Sequence, residues 1–275
     1  MKKYLIAVMA AFLAFTFVLT ACDDFVSGTS GNFREYEEEN INVTPGNLDQ
    51  WVQRVVGNQP LAELVSQDII RKLRENTYPQ DRLRFQRAGM KIASESSGLG
   101  VSLLSNALGA VADLVDLFTG EEDPTVETLN DVLKEVFNRV QDDFREAGGV
   151  QAAAAIAEIL SYDIQNTDSV PTFSPLYAES VTPAEVTKAV MVLIMGELDH
   201  INVENIELGD ISQIARGLVV DLRNLRIVVN QESEVPPSDT AIALAAFINL
   251  IASDPVRFMD NPFTKGIGET FNVAS

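Results

Sequence analysis

The sequence predicts an all-α protein, a multi-helix bundle of about nine or ten helices that divides into two subdomains. Three observations carry that prediction. From Asn47 onward, apolar residues recur at spacings of three and four, the period of a helix with one buried face. Pro and Gly punctuate the chain at intervals of helix length. No pair of alternating apolar and polar runs flanks a hairpin turn. Hydrophobic residues make up 46% of the chain, enough for a sizeable core, so a folded body is expected rather than global disorder.

Asn47 to Val56 reads as a short helix closed by Gly57, with Leu48, Trp51, Val52 and Val55 on one face. Trp51, the sole tryptophan, is expected to anchor the core. Pro60 suits the first turn of a second helix reaching about Glu75, with a stripe of Leu61, Leu64, Val65, Ile69 and Leu73. Tyr78-Pro79 ends it, because the residue before proline avoids helical backbone. Gln80 to Ser97 is the third helix. With Arg71, Lys72 and Arg74 just upstream, its Arg82, Arg84, Arg87 and Lys91 make this the most basic part of the folded region. Those charges are expected to neutralise neighbouring acidic helices; an anion-binding patch is the alternative.

Val101 to Phe118 is apolar over most of its circumference and is expected in the middle of the bundle. Pro124 opens a helix to about Ala147, and Gly148-Gly149 stops it. Val150 to Tyr162, rich in alanine, reads as a buried helix. Asp163 to Val181 carries Pro171 and Pro175 among Ser, Thr and Asp, and reads as an irregular subdomain boundary. Thr182-Pro183-Ala184-Glu185 is a capping box with proline at the first helical position, opening a helix to about Asp199. Further helices are expected from Asp210 to Val229, from Thr240 to Ala252, and briefly from Asp254 to Met259.

The N-terminus has a different character. Met1-Lys2-Lys3 is basic, and Tyr4 to Leu19 is apolar apart from Thr16. Small residues precede Cys22, which completes the layout of a cleaved secretory signal. The apolar run falls short of the roughly 20 residues that a spanning helix needs. Leu19-Thr20-Ala21-Cys22 resembles the lipobox of bacterial lipoproteins. The resemblance implies a diacylglycerol thioether on Cys22, cleavage on its N-terminal side, and membrane attachment through two or three acyl chains. Cys22 is the only cysteine, so no disulfide competes for it. Asp23 resembles the signal that retains enterobacterial lipoproteins in the inner membrane facing the periplasm, with the outer membrane as the alternative.

Residues 1–21 are therefore read as the signal, and 22–46 as a lipid-anchored flexible acidic tether. The two helical subdomains are 47–162 and 182–260, joined by the irregular linker 163–181 and followed by an irregular tail, 261–275. A random coil of 25 residues spans roughly 25–30 Å, enough to hold a body just off a bilayer. The formal net charge is −20, and cleavage before Cys22 would remove Lys2 and Lys3 from it. Such a surface repels nucleic acid and suits a basic partner.

Catalytic options narrow quickly. The single histidine, His200, rules out a zinc site with two or three imidazoles. No nucleophile elbow or phosphate-binding loop occurs. No acidic loop fits the pattern of an EF-hand; Asp163 to Asp168 lacks its glycine and closing glutamate. Neither a metal nor a cofactor is expected. The one carboxylate that suggests chemistry is Glu95, in Ile92-Ala93-Ser94-Glu95-Ser96, which resembles the Glu-Ser motif of lytic transglycosylases. In that family the glutamate serves as acid and then base. The family's other motifs are absent here. The expected function is a non-enzymatic binding or scaffolding role for an anchored envelope lipoprotein with a protein partner. The alternatives are a peptidoglycan-acting enzyme using Glu95, or a small-molecule binder with its pocket beside residues 163–181.

Overall fold

The computed structural model describes residues 41–97, 135, 138–139, 141–167, 170–198, 238–259 and 265. The chain there is mostly helical, in agreement with the all-α prediction. Helix α1 spans Leu48–Arg54 and α2 spans Gln59–Arg74. A 3-10 turn, Pro79–Asp81, leads into α3, Arg82–Ser96. Helix α4 is Gly149–Ser161, and a two-stranded antiparallel pair follows, β1 Ile164–Gln165 and β2 Thr172–Phe173. Helices α5 Pro175–Ser180, α6 Pro183–Leu198 and α7 Asp239–Ser253 complete the described elements.

Most boundaries have identifiable local causes. Asn58 accepts a hydrogen bond from Leu61 N at 3.3 Å, and Pro60 occupies the first turn of α2. Gly148 adopts a left-handed backbone, φ +69°, which ends the helical residues 141–146 and starts α4. At α6 the predicted capping box is complete: Thr182 N donates to Glu185 Oε2 at 2.7 Å, and Glu185 N donates to Thr182 Oγ1 at 3.3 Å. Ser238 caps α7 by accepting from Ala241 N.

Helix α4 is the centre of the described structure, packing against α2, α3, α6 and α7. Its alanines make that crowding feasible. A Cβ added to Gly196 of α6 would lie 2.6 Å from Ala153 Cβ, so the two backbones approach closely there. Gly89 does the same for α3: a Cβ there would meet Ile69 Cγ2 of α2 at 2.8 Å and Ile159 Cδ1 of α4 at 3.0 Å. The expectation that residues 101–118 fill the middle falls outside the described residues. So do Cys22, His200, the acidic run before residue 41, and the helix predicted from Asp210.

Three expectations change. The end of the stretch read as tether is core: Ile41 and Val43 are buried, and Val43 N donates to the buried Asp68 carboxylate at 2.8 Å. Asn47 fixes the turn that follows by accepting from Thr44 N at 2.7 Å and donating to Asn42 O at 2.9 Å. The apolar, polar, apolar order Ile41-Asn42-Val43 supplies the physical reason, since it places two β-branched side chains on the inner side.

The stretch 163–181 is not irregular. It holds the strand pair and α5, and its Phe173, Tyr177 and Val181 are buried. Described residues on both sides of it share one hydrophobic core, so no subdomain boundary is visible among them. Finally, 254–259 forms hydrogen-bonded turns rather than a helix, with Phe258 N on Pro255 O and Met259 N on Val256 O. Arg257 is drawn instead to the end of α5, where it donates to the carbonyls of Ala178 and Val181, and Phe258 is buried beside it.

Candidate functional site

Residues of α2 and α4, with the end of α3, line a cavity of about 120 Å³. Gln59, Glu63, Ser66 and Gln67 line it from α2, Ser96 from α3 and Gln151 from α4. The α2 residues fall at i, i+4, i+7 and i+8, a single polar stripe beside the apolar one. That spacing was present in the sequence and would have located this wall. The opposing wall depends on how α4 packs, which no local pattern encodes.

The polar side chains around the cavity are partly engaged with the protein. Gln59 donates one amide hydrogen to Ala147 O, which leaves its second amide hydrogen and its Oε1 for further bonds. Gln67 donates its nitrogen to Glu63 Oε1 at 3.4 Å, leaving a second amide oxygen and the other carboxylate oxygen. Ser96 donates to Ala93 O at 2.8 Å. Gln59 and Gln67 each keep a second amide hydrogen, so the walls present donors as well as acceptors. Among the described residues, no Lys or Arg lines the cavity. Ser66, 2% exposed, has a buried hydroxyl without a partner in the protein at the cavity floor.

Glu95 stands elsewhere. It accepts from Lys188 Nζ of α6 at 3.3 Å, with both side chains largely buried, and it is not among the cavity walls. Nearby, Arg87 forks onto both carboxylate oxygens of Glu185 at 3.0 and 3.1 Å. The two pairs run between α3 and α6 with opposite polarity. Glu95 thus has a structural partner that explains its position: it helps fix how α6 crosses α3.

The basic segment is also internally engaged. Arg71 pairs with Asp68, Arg74 with Glu158 at 2.5 Å, and Arg84 with Asp81 at 3.3 Å, while Arg82 donates to Tyr162 O. The bond from Glu158 raises the Arg74 pKa further above its ordinary value. Lys72 reaches Asn42 Oδ1 at 3.3 Å. Lys91 is exposed. Trp51 is buried as predicted, with the Arg54 guanidinium 5.3 Å from its ring centre.

Two further titratable groups are Tyr177, buried in the aromatic part of the core, and the half-buried Asp163. Burial, and then the Glu185 carboxylate, push the Tyr177 hydroxyl well above its usual range, and that hydroxyl contacts Met90 Sδ at 3.3 Å. Asp163 accepts from Ser174 N and Ser174 Oγ, each at 3.0 Å, and Ser174 Oγ in turn accepts from Tyr177 N. Partial burial raises the Asp163 pKa, partly offset by the Ser174 hydrogen bonds and the charge of Arg82.

That shift has a definite sign. Because the folded-state pKa is raised, the contribution of Asp163 to stability is fully present at low pH and is lost as pH rises through its folded value, from about pH 4 upward. Asp163→Asn keeps an acceptor for Ser174 and cannot titrate. Its urea midpoint, measured from pH 3 to 7, should therefore gain on that of the parent as pH rises. A difference that stays flat, or moves the other way, contradicts the account.

Among the described residues, no group of three or more His, Cys, Asp or Glu side chains is placed to share a metal ion. No described helix is long and apolar enough to cross a membrane. No family model, curated protein or solved structure matches this chain.

Proposed function

We propose that the protein is a lipid-anchored helical lipoprotein of the bacterial cell envelope that binds or scaffolds another envelope protein and does not catalyse a reaction. The lipobox-like Leu19-Thr20-Ala21-Cys22 carries the anchoring part of this reading. Lipid on Cys22 ties the body to a membrane, and Asp23 favours the inner membrane facing the periplasm. Ile41 and Val43 are buried, so the proposed tether extends no further than residue 40. As a random coil it reaches roughly 22–26 Å.

The binding role rests on the absence of a recognisable catalytic set and on a strongly acidic body, which favours a basic protein partner over nucleic acid. The helical periodicity of residues 101–118 and 210–229 supplies the further helices that bring the total to nine or ten. The pairing of Glu95 with Lys188 gives no support to a glycan-cleaving role.

Fractionation of cells expressing the parent and Cys22→Ala tests the proposal. The parent should sediment with membranes, and the variant should become soluble or accumulate as unprocessed precursor. A variant that is trimmed normally and still sediments with membranes overturns it.

A further inference from the structure

We draw no further inference here: the strongest candidate, the cavity lined by α2, the end of α3 and α4 with the buried Ser66 hydroxyl at its wall, carries nothing because its side chains present donors and acceptors alike and nothing in the structure shows what fills it.

Discussion

Phe247→Ala should lower the unfolding midpoint reported by Trp51, although the two residues lie at opposite ends of the described chain. Phe247 is fully buried in α7, and its ring centre is 4.9 Å from that of Phe173, which sits 4.8 Å from Tyr177. Tyr177 reaches Met90 of α3, and α3 packs against α1, which carries Trp51. Truncating a buried phenylalanine costs about 3–5 kcal/mol through lost transfer energy and the cavity left behind. With a urea slope of about 2–3 kcal/mol per molar, that is a fall of about 1–2.5 M in midpoint.

Since the elements on both sides of 163–181 share one core, tryptophan fluorescence and circular dichroism should fall together. If the tryptophan transition stayed in place while only part of the dichroism moved, the two-subdomain expectation would return. Trp51 suits this use because it is the sole tryptophan and is buried at 7% exposure.

Gly89→Ala should destabilise the fold by about 1–3 kcal/mol, the usual cost of forcing extra atoms into a packed interior. The added Cβ would meet Ile69 Cγ2 at 2.8 Å and Ile159 Cδ1 at 3.0 Å, where α2, α3 and α4 come together. Neither contact is with the loose end of a surface side chain, because Ile69 and Ile159 are fully buried. Relief should be specific. Ile159→Val removes the Cδ1 atom, so it should cost less in the Gly89→Ala background than in the parent, and the four midpoints form a double-mutant cycle. Additive costs would show that the close approach at Gly89 does not limit packing. Gly89→Val should be worse than Gly89→Ala, since it adds two more methyl groups to the same space.

What the sequence made legible follows the range of the interactions involved. The starts of α2 and α6 were readable because proline position and capping geometry are set within four residues, as in Thr182 and Glu185. The stop at Gly148-Gly149 was readable for the same reason, since a left-handed residue is a local requirement. The strand pair was missed because two residues per strand are too few for alternation to show. Its stability comes from Asp163 holding Ser174 eleven positions away, and from Phe173 reaching Phe247.

Asp68 was missed for a related reason. In sequence it is an acidic residue of an amphipathic helix, and only the docking of Val43 explains why it is buried. Glu95 was singled out through a three-residue resemblance, whereas Lys188, the partner that accounts for it, is 93 positions away. The α2 wall of the cavity was written in the spacing of Gln59, Glu63, Ser66 and Gln67. The opposing wall required Gln151, which faces it only through the packing of α4.

The proposed lipid anchor is tested most directly at the N-terminus of the protein recovered from membranes. The protein is purified from bacterial membranes, digested, and the mass of its first peptide is measured. The account predicts that this peptide begins at Cys22 and carries a diacylglycerol thioether on the Cys22 sulfur. A first peptide that starts elsewhere, or a Cys22 recovered with an unmodified thiol, would contradict it.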